Sequence, residues 1–64
     1  MIIKKYEDLK NVEDNMIVDL TELDLEIAKR AIDFLAGLTC KNGSLIKLAK
    51  NRYLVRIGEV NNEQ

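Results

Sequence analysis

The sequence predicts a single small α/β domain, a two-layer sandwich with one long helix packed on a sheet of about four strands. Three observations carry this. Residues 23–38, LDLEIAKRAIDFLAGL, have the length and periodicity of an amphipathic helix. Two short β-rich runs, residues 2–6 and 16–20, precede it. Two more, residues 44–49 and 52–57, flank Lys50-Asn51 in the manner of an antiparallel hairpin. Helix and strands both need a partner for their apolar sides, and stacking one layer on the other is the simplest solution.

Residues 2–6 read as the first strand. Residues 7–14 are polar, with Leu9 and Val12 three apart, a spacing that permits one or two turns of helix before Asn15 closes the segment as a turn residue. Residues 16–20 are mostly apolar and suit an interior strand. Thr21 with Asp24 has capping-box spacing, and Leu20 with Leu25 would be its hydrophobic staple. Asp24 could equally be the N-cap, so the helix begins between 22 and 25. Gly37 is a candidate left-handed terminus. Asn42-Gly43 is the strongest turn signal, and a tight hairpin there would follow if residues 39–41 were extended. The polar tail, residues 61–64, is expected to fray.

Within the long helix the apolar positions span an arc of roughly 200°, about twice what contact with one sheet requires. The hairpin raises the same question. With a two-residue loop, one face carries Ile46, Leu48, Tyr53, Val55 and Ile57, and the other carries Leu45, Lys47, Leu54 and Arg56. Large aliphatics on both faces depart from the apolar-in, polar-out alternation of a half-wet sheet. A chain of 64 residues buries only about 60% of its unfolded surface and is marginal alone. A second copy is the expected remedy. The outer sheet face, with Leu45 and Leu54 near its centre, is the first candidate surface. The helix edge at Ile27, Phe34 and Leu38 is the second, for higher assembly. The plainer alternative is scattered exposed aliphatics.

Several function classes drop out. Ten basic and eleven acidic residues nearly balance, which disfavours a nucleic-acid binder. No apolar run approaches the ~20 residues that span a bilayer, and no signal peptide follows Met1. Cys40 stands alone and histidine is absent. There is therefore no zinc spacing, no disulfide set and no base for a nucleophile, and Gly37, Gly43 and Gly58 lack the phosphate-loop spacing a cofactor motif would need. A non-enzymatic, cytoplasmic protein is expected. Glu26 with Arg30, and Lys29 with Asp33, have the spacing of solvated helix pairs worth a few tenths of a kcal/mol.

The order Val18-Asp19-Leu20, Leu23-Asp24, Ala28-Lys29-Arg30, Asp33-Phe34-Leu35-Ala36-Gly37, then Gly43, Ile46-Lys47 and Tyr53-Leu54, resembles the SepF family over residues 16–57. The bacterial pattern there runs Val-x-Leu, Ala-x-Arg-x-x-Asp-Phe-Leu-x-Gly, and Ile-x-Lys-Ile followed by Phe-Leu. Tyr53-Leu54-Val55-Arg56-Ile57 looks closer to the archaeal branch, and the segment before Met16 is shorter than in bacteria. The resemblance implies a cytoplasmic cell-division adaptor that forms a homodimer and can assemble further. It would bind the C-terminal peptide of the tubulin-like protein FtsZ and tether its filaments at the inner membrane face of the division site. The family's membrane contact is an amphipathic N-terminal helix on a linker. Neither is visible here, so residues 1–64 are expected to be the core domain alone.

The resemblance also implies that Lys47 and Tyr53 line the peptide pocket, a cation for acidic side chains and a ring for apolar anchors. The plainer roles are an edge-guarding lysine and a core tyrosine. A two-residue loop puts this pair on opposite faces, a three-residue loop on one, and the sequence leaves both open. The competing class is a small-molecule-sensing α/β module that binds ligand at a dimer interface. It lacks a glycine-rich ligand loop.

Overall fold

The computed structural model describes residues 1–58, so the polar tail at 61–64 lies outside the described residues. A 3-10 helix at Tyr6–Asn11 leads to β1 (Met16–Asp19), α1 (Leu25–Leu38), β2 (Ser44–Ala49) and β3 (Arg52–Arg56). The sheet is antiparallel throughout, in the order β1-β3-β2. It is an α/β fold with one long helix, as the sequence predicts.

The strand expected at residues 2–6 is reduced to a single parallel bridge, Ile2 with Asp19. Ile3 N–H donates to the Asp19 carbonyl (2.9 Å), and Asp19 N–H donates to the Met1 carbonyl (2.8 Å). Pairing stops there for a local reason. The N–H groups of Lys4 and Lys5 donate to Asp8 Oδ2 at 3.0 and 3.2 Å. Donors that a strand would offer to a neighbour are spent on this carboxylate, and the chain turns into the 3-10 helix. That helix covers 6–11, where the sequence suggested helix over 7–14.

Asp24 occupies the N-cap position of α1, and its carbonyl accepts the first helical bond, from Ala28 N–H at 2.7 Å. Its side chain makes no cap bond. The Thr21 capping box does not form, because Thr21 N–H is engaged by Asp19 Oδ1 at 2.9 Å. The Leu20–Leu25 staple is absent too: Leu20 is fully buried while Leu25 is 72% exposed. At the other end, Gly37 stays inside the helix. Thr39 terminates it, buried, with its hydroxyl donating to the carbonyls of Leu35 (2.9 Å) and Ala36 (3.3 Å). A side-chain hydroxyl thus stands in for the expected glycine terminus.

Asn42-Gly43 makes no hairpin. Gly43 lies just before β2, and a Cβ there would collide with the backbone of Arg56 and Ile57. Close backbone approach is what this glycine permits. The true hairpin turns at Lys50-Asn51, with Asn51 in the left-handed region at φ 63°. Asn15 is also left-handed, at φ 62°, and its N–H reaches the Val55 carbonyl at 2.8 Å. Beside it, Asp14 Oδ1 accepts from Ile57 N–H (2.8 Å) and Gly58 N–H (3.4 Å). Loop and strand end are tied together at that point.

The core is Ile3, Leu9, Val12, Val18, Leu20, Ala31, Leu35 and Val55, with Met16, Leu23, Ile32, Leu45, Tyr53 and Ile57 packed against it. It draws on the N-terminal segment, β1 and the turn after it, α1 and the hairpin. That breadth is how so short a chain closes one core.

Candidate functional site

The hairpin decides which side chains share a face. The Lys50-Asn51 turn sets Ala49 opposite Arg52, as a two-residue loop requires. One extra residue then intervenes: the register shifts between Lys47 and Ala49, leaving Leu48 at a bulge. Beyond it, Lys47 lies opposite Tyr53, Ile46 opposite Leu54, and Leu45 opposite Val55. A one-residue shift moves every side chain of the strand to the other face. It acts on β2 as a three-residue loop would have done.

Two results follow. Lys47 and Tyr53 share a rung with Val18. Tyr53 is half-buried against the core and Lys47 is exposed at the sheet margin. The tyrosine therefore serves the core with part of its surface, while the ammonium is accessible. The second result is a correction. Leu45 is not on the outer face with Leu54. It shares the Val55 rung on the helix side and packs against the core.

On the outer face the apolar rung is Ile17, Leu54 and Ile46, one residue from each strand in register. Ile17 is 48% exposed, Ile46 is 43% exposed, and Leu54 between them is half-buried. Ile17 lies in β1, which is a marginal strand and not the interior one the sequence suggests: β3 takes the centre of the sheet, and Ile17 is left open on this face. Ile46 was hidden by the bulge, since no glycine marks the site in sequence.

On the helix, Phe34 and Leu38 are exposed and Ile27 is half-buried. Tyr6 from the 3-10 helix meets Phe34 edge-on, with ring centroids 6.2 Å apart and planes at 70°. This contact ties the 3-10 helix to α1. Nearby, Lys4, Lys5, Tyr6, Glu7, Glu22, Leu23, Asp24 and Ile27 line an open groove of about 480 Å³. Its rim mixes both charges.

At the end of β1, Asp19 faces Arg52 at 3.5 Å. Hydrogen bonds from the Thr21 hydroxyl, then from its backbone N–H, hold the carboxyl below its ordinary range; the Arg52 charge assists, and partial burial opposes. Among the described residues there is no cluster of three metal-ligating side chains, and no helix is long and apolar enough to cross a membrane.

Against known families, the model described as "Cell division protein SepF" matches residues 1–57, nearly the whole chain. The chain belongs to the SepF family. Its role therefore lies in cell division. The match begins at residue 1, so the bridge and 3-10 helix ahead of β1 are part of the SepF domain, beyond the stretch over which the sequence resemblance was legible. None of the individually curated proteins is similar enough to count as a match.

Proposed function

We propose that this SepF-family domain is a non-catalytic adaptor. It forms a homodimer and captures the C-terminal peptide of FtsZ. In the full protein it works in the cytoplasm, linked through an amphipathic helix to the inner membrane face at the division site. The observation that carries the peptide reading is the Lys47–Tyr53 rung. It presents a cation beside an aromatic ring, which suits a short acidic segment with an apolar anchor. The dimer reading is supported by the Ile17–Leu54–Ile46 rung on the outer face, with Ile27, Phe34 and Leu38 as the surface for further assembly. A filament repeats the same tail many times, so two weak sites on one dimer gain avidity without new contacts.

Light scattering with and without an FtsZ tail peptide tests both parts. A dimer mass that gains peptide supports the adaptor. A monomer that ignores the peptide overturns it. A thermal-shift comparison against small metabolites separates the ligand-sensing alternative, since stabilisation by metabolites alone would replace the adaptor reading.

A further inference from the structure

The two margins of the sheet differ. On the β1 side, residues 1–3 close the margin through the Ile2–Asp19 bridge, the two Asp19 backbone bonds, and the Met1 ammonium donating to the Ile17 carbonyl at 2.7 Å. On the other side β2 is the terminal strand. Among the described residues its backbone pairs only with β3, and five of its six residues are exposed. Open edges of this kind are templates for another strand unless something blocks them.

Charge selects the strand that fits. Between Asp33 and Glu59 the chain holds Lys41, Lys47, Lys50, Arg52 and Arg56 and not one acidic residue. Lys47 lies in β2, Lys50 in its turn, and Arg52 and Arg56 on the adjacent strand. Among the described residues, only Arg52 of these has an ion-pair partner, Asp19. In a second copy pairing on this edge, every charged side chain brought in by either hairpin would be basic, and like charges across a strand pair destabilise it. The same lysines that keep two copies apart favour a segment of opposite charge. Ile46 and Leu48, 43% and 48% exposed, add apolar contact along the edge.

We propose that β2 is a strand-addition site for an extended acidic segment of a partner protein, in which Asp or Glu alternates with aliphatic residues. Backbone pairing supplies affinity and the basic margin supplies selectivity. The proposal rests on the open edge and the charge distribution, and it differs from side-chain capture at the Lys47–Tyr53 rung.

The probe is a blocked seven-residue peptide alternating valine with aspartate or glutamate, followed by amide hydrogen exchange of the labelled protein and by calorimetry. Binding is expected to slow exchange selectively in β2 and to weaken at least tenfold as salt rises from 50 to 500 mM, on the order expected when several charge pairs are screened. A peptide N-methylated along one edge keeps its other edge free and binds. Methylation along both edges abolishes binding. Lys47→Gln with Lys50→Gln reduces affinity and flattens the salt dependence.

Equal binding by the doubly methylated peptide overturns strand addition, as does no binding at all. Concentration-dependent protection of β2 without peptide also overturns it if it persists in Ile17→Asp, where the outer face is blocked, since a second copy then owns the edge. The FtsZ tail peptide run beside the probe keeps the two readings apart. Tail binding without probe binding sinks strand addition and leaves the adaptor standing. Probe binding without tail binding does the reverse.

Discussion

Deleting Leu48 tests the register on which the faces depend. In the observed pairing, Lys47 lies opposite Tyr53 and Ala49 opposite Arg52, with Leu48 the extra residue between them. Its removal leaves both pairings in place and converts the bulge into a regular two-residue hairpin. The loss is then confined to Leu48's own contacts. Since it is 48% exposed, about half of the ~1.5–3 kcal/mol for a fully buried leucine is at stake, roughly 1 kcal/mol. A regular ladder offsets part of that. In a bulge-free register the same deletion would exchange Ile46 and Leu48 on the packed face for Leu45 and Lys47. One large aliphatic would leave the core and an ammonium stem would enter, costing more than ~3 kcal/mol. A domain of this size has only about 3–10 kcal/mol in total, so the two outcomes are far apart. Urea titration at fixed protein concentration reads the difference. With a slope near ~1 kcal/mol/M the midpoint moves by no more than about 1 M. A variant that is unfolded, or that loses more than ~3 kcal/mol, would refute the bulged register and with it the pairing of Lys47 with Tyr53.

The remaining tests use the same fold. Leu35→Ala, at a fully buried position of α1, is expected to cost about 2–5 kcal/mol, whereas Leu25→Ala on the exposed turn should fall within ~0.5 kcal/mol; denaturant midpoints compare them directly. Ile46→Asp with Ile17→Asp should shift sedimentation from dimer to monomer while the circular dichroism spectrum stays unchanged. A dimer that survives both substitutions excludes the outer sheet face as the interface. Asp19 has a carboxyl held lower in the folded state than in the unfolded chain, so its contribution is complete above the ordinary carboxylate range. It is lost as pH falls through the folded value, because the unfolded chain binds the proton first. Asp19→Asn should therefore flatten the acid limb of a stability–pH curve, and an unchanged limb would remove Asp19 as its source.

The long helix was legible because its signal is repeated over many residues: Ala28, Ala31 and Leu35 sit where the 3.6-residue period puts them, and all three are buried. Its end was not, because Thr39 closes it through a hydroxyl whose partners, Leu35 and Ala36, are known only once the helix exists. Residues 2–6 look like a strand by composition, yet Asp8 takes the N–H groups of Lys4 and Lys5. A single side-chain acceptor outweighs a weak strand preference there. The hairpin's strands and turn were both legible, but its faces were not. A bulge without glycine leaves no local mark, and its effect is to bring Lys47 and Tyr53 onto one rung and to remove Leu45 from the outer surface. The candidate surfaces were thus readable as residue types, while their grouping needed the three-dimensional register.

The seating of Met1 beside Ile17 bears on how anything joined ahead of it would hang. A leader replaces the ammonium with an amide N–H that can still donate to the same carbonyl, so fusion there leaves the joint intact. It would depart from the first edge of the sheet, with β1 and β3 between it and β2, some ~14 Å across at the usual strand spacing. Anything joined at that point leaves from the margin opposite β2 and does not cross the open edge of the hairpin.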